Sequence, residues 1–143
     1  MTRNHGTYAV IFQCRSPATA PVGRWGQLAL RKGYYIYVGS AFGPGGVLAR
    51  VSRHCRREKA RRWHIDYLGG FVDPLGAWYS HDPQRLEHRW AACLADMPGA
   101  TPVPKFGCSD CRCESHLFYF AARPDLATFQ ELANDRVDSW SCR

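Results

Sequence analysis

Near its N-terminus the chain reads Tyr8-Ala9-Val10-Ile11-Phe12-Gln13-Cys14, a run dominated by apolar residues and containing two β-branched and two aromatic side chains. Residues of these types favour extended backbone, so the run predicts a β-strand. Similar runs predict a second strand over Trp25–Leu30 and a third over Tyr34–Val38. A loop over Ser16–Pro21 is predicted from its prolines and small polar residues. Three strands with short connections predict an antiparallel meander.

Helical patterns follow the third strand. After a Gly-rich loop, Val47, Leu48, Val51 and Cys55 recur at the spacing of one helix face. Later patterns predict a short helix over Trp63–Leu68, a strand over Leu75–Ser80, a helix from Pro83 to about Asp96, a strand over His116–Ala121 and a helix over Asp125–Asn134. The elements predict an α+β fold with a small three-stranded antiparallel sheet flanked by helices. One domain over 1–143 is expected, in which a Cys-rich extension, 98–143, adds a strand and a helix to a core over 6–97.

The composition is that of a single globular domain. The chain has 143 residues, of which 45% are hydrophobic, and no apolar run approaches the roughly 20 residues that span a bilayer. The first residues lead straight into the candidate strand, without the pattern of a signal peptide. Seven cysteines, an odd number, argue against a secreted disulfide framework. We therefore expect a cytoplasmic protein, most simply a monomer, without membrane attachment.

Positive charge is concentrated in one segment. The formal net charge is +7, and the segment from 50 to 62 contains seven cations against the single acid Glu58. The cations are Arg50, Arg53, Arg56, Arg57, Lys59, Arg61 and Arg62. Such clustering predicts a phosphate-binding surface, and a solvated helix face is the alternative. The helix N-terminus after Gly45 and Gly46 is expected to offer further backbone donors to phosphate.

Several side chains with complementary chemistry are expected to meet in one cleft. If the first strand pairs beside the third, alternation of side chains lets Tyr8 and Tyr37 point to the same side. Arg50 and His54 lie one helical turn apart, and Glu87 lies on a later predicted helix. Phosphodiester hydrolysis needs an activated water, charge neutralisation at the phosphate and stabilisation of the leaving oxygen. Tyrosine, histidine, arginine and a metal-binding carboxylate supply these functions.

The order of these motifs resembles that of the GIY-YIG nuclease superfamily, in particular its small stand-alone Uri-type endonucleases. Gly6-Thr7-Tyr8 and Tyr37-Val38-Gly39 correspond to the two tripeptides that name the family, and Ser40-Ala41 follows as it often does there. Arg50-Val51-Ser52-Arg53-His54 matches the family's helix motif, and Glu87 matches its later glutamate. The resemblance implies a metal-dependent endonuclease that hydrolyses phosphodiester bonds in DNA.

The resemblance also implies roles for individual residues. Tyr8 is expected to deprotonate or orient the attacking water, with Tyr37 and His54 assisting by hydrogen bonding and proton transfer. Arg50 is expected to hold the scissile phosphate, and Glu87 to bind a single Mg²⁺ or Mn²⁺. The remaining predicted nucleic-acid-binding residues are Arg53, Arg57, Arg61 and Ser40.

The substrate is expected to be single-stranded or otherwise structured DNA, because one small domain offers a short footprint. The alternative function is a non-catalytic nucleic-acid-binding module that uses the basic helix over 47–62. Aromatic residues such as Trp63 would then serve as stacking surfaces.

A separate cysteine cluster allows three interpretations. Cys108, Cys111, Cys113 and His116 form the pattern Cys-x-x-Cys-x-Cys-x-x-His, whose donors suit Zn²⁺. Structural zinc sites usually draw on two separated pairs of ligands, so a turn of buried or reduced cysteines is the second interpretation. A redox pair is the third. A regulatory protein built on this cluster would leave the N-terminal motifs unexplained.

Overall fold

The structure, a computed structural model, describes residues 1–57, 59–107 and 113–142. Its strands are β1 (Gly6–Cys14), β2 (Ala18–Val22), β3 (Gly26–Leu30), β4 (Gly33–Ala41), β5 (Asp73–Ser80), β6 (Thr101–Pro102), β7 (Leu117–Phe120) and β8 (Asp138–Ser141). Its helices are α1 (Gly46–Cys55), α2 (Glu87–Ala95) and α3 (Leu126–Ala133), and 3₁₀ turns cover Gly23–Trp25 and His64–Leu68. Within these ranges, no helix combines the length and apolar character needed to cross a membrane.

Six of the strands form one antiparallel sheet in the order β6-β7-β4-β1-β5-β8. The predicted small three-stranded sheet is therefore wrong, although the fold is still α+β. The sheet is larger than predicted because the C-terminal strands join it. β6 and β7 extend one edge of the sheet, and β8 extends the other. All four residues of β7 are buried, so this segment is part of the main core and not an appendage.

The other two strands, β2 and β3, form a separate hairpin. The predicted meander is therefore wrong, and so is the predicted loop where it overlaps β2. Pro21 argued against a strand in the sequence, because proline lacks the N–H that pairs with a neighbouring strand. It is tolerated here because strands accept proline where that N–H is not needed, as at an edge. Ala20, Val22, Leu28 and Leu30 are buried at alternating positions, so the hairpin packs one side onto the core.

The central strand β1 pairs directly with β4, which is the condition under which the sequence places Tyr8 and Tyr37 on one side. The register places Tyr8 opposite Gly39 and Val10 opposite Tyr37. Side chains of directly opposed residues share a face, and so do residues two apart along a strand. Tyr8 and Tyr37 therefore lie on the same face of the sheet.

A hydrophobic layer covers each face of the sheet. On the face of Tyr8, the apolar side of α1 contributes Val47 and Val51, and the β2–β3 hairpin packs beside them. On the opposite face, Trp90 from α2 and Phe129 from α3 are fully buried. The two layers hold the sheet between them and fix where the ends of β1 and β4 lie.

The N-terminal segment closes the start of α1. Gly45 and Gly46 adopt left-handed backbone conformations, and a Cβ on Gly46 would lie 2.1 Å from a backbone oxygen of the N-terminal segment. The N–H groups of Val47 and Leu48 donate to carbonyl oxygens of that segment at 3.0 Å. The expectation that this terminus offers free donors to phosphate is wrong for these two groups, because the chain itself occupies them.

A disulfide joins Cys55, the last residue of α1, to Cys142, which follows β8. The bond connects residues 87 positions apart in sequence. It ties the helix that carries Arg50 and His54 to the C-terminal end of the chain.

Candidate active site

Tyr8 and His54 form a hydrogen-bonded pair inside the core. Tyr8 Oη lies 2.9 Å from His54 Nε2, and the two residues are 2% and 1% exposed. Tyr8 comes from the central strand and His54 from the last turn of α1, which packs on that strand. Gly39 makes room for the tyrosine, since a Cβ there would lie 2.5 Å from Tyr8 Oη. Gly39, in the second tripeptide, is therefore needed to accommodate Tyr8 of the first.

Burial keeps this pair neutral. It lowers the pKa of His54 to about 3, although the charge of Asp66 acts in the opposite direction. Burial also raises the pKa of Tyr8 well above its ordinary value, with a further contribution from Tyr37, while the charge and hydrogen bonding of Arg50 lower it. At neutral pH the hydroxyl is protonated, so it can donate to an uncharged imidazole.

Tyr37 lies next to the pair on the same face of the sheet. The centre of its ring is 5.8 Å from that of His54, in an edge-to-face arrangement. Phe106 packs against Tyr37 in the same way at 6.4 Å. The position of Tyr37 therefore agrees with the expectation that both tyrosines face one cleft, and its assisting role stays a prediction.

Arg50 lies one helical turn before His54 and is held by two contacts. Its Nη1 donates to the backbone oxygen of Ser40 at 3.1 Å, and its guanidinium carbon lies 4.6 Å from the centre of the Trp63 ring. It also lies close enough to Tyr8 to lower the pKa of that hydroxyl. A planar guanidinium fixed beside a tyrosine hydroxyl is suited to hold a phosphate oxygen in place.

Glu87 is the first residue of α2, which packs on the other face of the sheet. Its Oε2 lies 2.9 Å from His116 Nδ1, and its side chain is 24% exposed. Burial would raise the pKa of Glu87, but hydrogen bonds from His116 and Ser40 and the charges of His116 and His88 outweigh it and lower that pKa. The charge of Glu87 also acts on Tyr8 and raises its pKa, so the two groups are within electrostatic reach of each other.

Ser40 connects the two halves of this arrangement. Its backbone oxygen accepts a hydrogen bond from Arg50, and its side chain lies near enough to Glu87 to lower the pKa of that carboxyl. The sequence predicted a direct contact between Ser40 and nucleic acid. The structure places Ser40 at the end of β4, where it positions an arginine and a carboxylate on either side of the strand.

The family of the protein follows from a comparison that covers nearly the whole chain. A family model described as "Domain of unknown function DUF123" matches residues 7–138. The chain belongs to the DUF123 family. Neither the curated proteins nor the solved structures gave a match. The matched range includes Tyr8, His54, Glu87 and His116, so the whole candidate site lies within the DUF123 domain.

Arg53 is held inside the DUF123 domain. Its guanidinium donates to both carboxylate oxygens of Asp66 at 2.9 Å, and the Asp66 side chain is fully buried. Trp63 lies over this guanidinium, at 4.5 Å, as well as over Arg50. The structure thus gives Arg53 and Asp66 a structural contact that no sequence pattern identified, because the pairing depends on how the 3₁₀ turn packs against α1.

The other two predicted nucleic-acid-binding arginines lie at the surface. Arg57 forms an ion pair with Asp73, and the Arg57 side chain is 65% exposed. Arg61 is exposed and lies over the ring of Tyr67 at 5.0 Å. Both guanidinium groups are placed where an anionic partner can reach them, and their role in DNA binding stays a prediction.

The predicted zinc ligands are only partly described. Cys108 and Cys111 lie outside the described residues, whereas Cys113 and His116 lie within them. The structure brings these two together with His88, and the ligand atoms of the three residues lie within 4.8 Å of one another. The sequence offered little sign of His88, which is far from the cysteine cluster along the chain and follows Glu87 directly.

Proposed function

We propose that this DUF123 protein is a metal-dependent endonuclease that hydrolyses phosphodiester bonds in DNA, as the GIY-YIG nucleases it resembles do. The observation that carries the proposal is the 2.9 Å contact between Tyr8 Oη and His54 Nε2 with Arg50 fixed beside it. A tyrosine buried only for packing needs no cation at its hydroxyl. A tyrosine that must pass on its proton gains from such a cation, because the positive charge favours the tyrosinate form.

The proposed chemistry follows from these contacts. A water oxygen forms a bond to phosphorus, one P–O ester bond breaks, and the departing oxygen takes up a proton from solvent, to which the site later returns the proton taken from the attacking water. Tyr8 accepts a proton from the attacking water while its own proton moves to His54 Nε2. Arg50 holds a non-bridging phosphate oxygen and offsets the charge that develops there. Tyr37 packs against His54 and keeps the imidazole oriented.

The donor chemistry at Glu87 fits Mg²⁺ or Mn²⁺. The carboxylate is partly exposed, and Mg²⁺ is commonly bound by one or two carboxylates with several waters completing its shell. His116 hydrogen-bonds with the carboxylate and orients it, and the nearby Ser40 side chain favours its ionised form. When bound, such an ion supplies Lewis acidity to the phosphoryl group.

The proposed substrate is single-stranded or flapped DNA. One domain of this size provides a short contact surface, and the exposed Arg57 and Arg61 follow α1 in the basic segment. A monomer is the simplest setting for this activity, whereas the Cys55–Cys142 disulfide does not support the expected cytoplasmic location, because disulfides are rare there. Binding should weaken as salt rises, because phosphate contacts release counterions.

Cleavage of matched oligonucleotides tests the proposal. The wild-type protein is incubated with labelled single-stranded, flapped and duplex DNA in Mn²⁺, Mg²⁺ or a chelator. We expect ion-dependent cleavage of the single-stranded or flapped DNA, and a loss of at least about 100-fold in Glu87→Gln with DNA binding retained. Faster cutting of the duplex would refute the substrate preference. Binding without cleavage under every ion would instead support the non-catalytic module over 47–62.

A further inference from the structure

A group of nitrogen and sulfur donors lies next to Glu87. His88 is the second residue of α2, whereas Cys113 and His116 precede β7. The ligand atoms of these three residues lie within 4.8 Å of one another. Donors around a tetrahedral zinc ion lie roughly 3.3–3.8 Å apart, given ordinary Zn–N and Zn–S distances. Small side-chain rotations therefore suffice to place all three on one ion.

We propose that His88, Cys113 and His116 bind a transition-metal ion, with Zn²⁺ as the best-suited ion. Two imidazoles and a thiolate are donors that zinc prefers and that Mg²⁺ does not. The ion is therefore chemically distinct from the divalent cation proposed at Glu87. The ligands also come from two separated segments, which removes the objection that four ligands within nine residues would be cramped.

The orientation of His116 supports this assignment. Its Nδ1 lies 2.9 Å from Glu87 Oε2, so a metal ion would be bound through Nε2. Histidines that bind metals usually donate their other N–H to a carboxylate or carbonyl, which fixes the tautomer and the ring plane. The backbone of His116 is fixed as well, since its N–H donates to Phe106 O at 2.8 Å and its oxygen accepts from Val38 N at 2.9 Å.

The site is accessible from solvent. A cavity of about 300 Å³ is lined by His88 and Cys113 but not by His116. His88 itself is exposed, Cys113 is half-buried and His116 is buried. An ion can therefore reach His88 and Cys113 from the cavity.

The proposed zinc ion would also position the Glu87 carboxylate. His116 links the two, because the ring that binds zinc through one nitrogen donates to Glu87 through the other. This consequence rests on the proposed nuclease function, whereas zinc binding itself does not. Failure of the two proposals can therefore be told apart, since metal content is measured without DNA.

Metal analysis of the purified full-length protein tests the site. After expression with added zinc and dialysis against metal-free buffer, we expect about one zinc ion per chain in the wild type by mass spectrometry. His88→Ala and Cys113→Ser should lose it, whereas Cys93→Ser, which changes a cysteine on the same helix as His88, should retain it. Cobalt substitution should give a thiolate-to-cobalt absorption band that is present in the wild type and in Cys93→Ser and absent in Cys113→Ser.

A second variant tests the site even if removal of a ligand unfolds the protein. Glu87→Gln leaves all three ligands in place and weakens the hydrogen bond to His116, so zinc affinity should fall by about 10- to 100-fold while the circular dichroism spectrum is unchanged. Wild-type protein without zinc would overturn the proposal. So would full zinc content in His88→Ala together with an unchanged cobalt band, because the metal would then be bound elsewhere.

Discussion

Two histidine–oxygen contacts of equal length occur in this molecule, and their charge states differ. His54 Nε2 lies 2.9 Å from Tyr8 Oη, and His116 Nδ1 lies 2.9 Å from Glu87 Oε2. The first pair is fully buried, and burial disfavours the charged form of both partners. The second pair contains a carboxylate that is partly exposed and keeps a lowered pKa. Equal distances therefore say little about charge, because desolvation and neighbouring groups determine it.

The neutral pair, Tyr8 and His54, and the charged pair, Glu87 and His116, are therefore suited to different tasks. In a neutral pair the tyrosine hydroxyl can pass its proton to the imidazole as it takes up a proton from a water molecule. A carboxylate held in its ionised form is suited to bind a cation. Ser40 lies between the pairs and contacts Arg50 on one side and Glu87 on the other. The following predictions test whether the neutral pair and the charged pair are as different as their environments indicate.

The largest effect on stability is expected where the neutral pair has no space to move. In Gly39→Ala, the new Cβ would lie 2.5 Å from Tyr8 Oη and 2.7 Å from Tyr8 Cζ, so the ring must shift away from His54. We expect a loss of about 1–3 kcal/mol in the free energy of unfolding, measured by urea denaturation. Gly70→Ala is the matched control, since nothing lies within 4 Å of its Cβ. Equal stability of the two variants would show that Tyr8 is not held as described.

Removing only one member of the neutral pair should be worse than removing both. His54→Leu leaves the Tyr8 hydroxyl buried without its partner, at a cost of about 1–3 kcal/mol. Adding Tyr8→Phe removes the unsatisfied group and should restore part of that loss. A double-mutant cycle by urea denaturation measures the coupling. Strictly additive effects would mean that the hydrogen bond does not contribute in the folded protein.

The neutral pair should also make stability depend on pH. The pKa of His54 is about 3 in the folded state and 6.5 in its ordinary state. Between these values only the unfolded chain binds the proton, so the contribution of His54 is complete above pH 6.5 and declines as the pH falls. The free energy of unfolding should fall by about 1.4 kcal/mol per pH unit more steeply in the wild type than in His54→Gln. Parallel slopes for the two proteins would contradict a neutral, buried His54.

The smallest effect on stability is expected at the charged pair. Because the pKa of Glu87 is lowered below 4.5, its contribution is present above that pH and is lost as the pH falls through the folded-state pKa. Glu87→Gln should therefore change stability by less than about 1 kcal/mol at pH 7, since the side chain is partly exposed. It should flatten the pH dependence only below pH 4.5. If Glu87→Gln instead altered the pH dependence of stability from about pH 6.5 downward, the loss of stability in that range could not be attributed to His54.

Much of the neutral pair was accessible from sequence. The apolar runs identified β1 and β4 as strands, and alternation along them placed Tyr8 and Tyr37 on one face provided that the two strands pair, as they do in the structure. Helical spacing placed Arg50 and His54 one turn apart. These inferences succeed because they depend on local periodicity, which the long central strands and an amphipathic helix express clearly.

The rest of the fold depends on contacts that periodicity does not encode. β2 was missed because Pro21 argues against a strand, and β8 was missed because Asp138–Ser141 lacks a run of strand-forming residues. Both are stabilised by pairing with a neighbour. The contacts of His116 with Glu87 and His88 likewise depend on β7 joining the sheet beside β4. Sequence alone therefore predicted the centre of the sheet better than its edges, and the tyrosine side of the site better than the histidine side.

Single-turnover cleavage by Tyr8→Phe tests the central claim most directly. The substitution removes one oxygen atom, the atom 2.9 Å from His54 Nε2, and leaves the ring that packs over Gly39. With single-stranded DNA and Mn²⁺, the rate should fall by about 10²- to 10⁴-fold while DNA binding and the circular dichroism spectrum stay as in the wild type. A rate within about twofold of the wild type would contradict the claim that this hydroxyl takes part in phosphodiester hydrolysis.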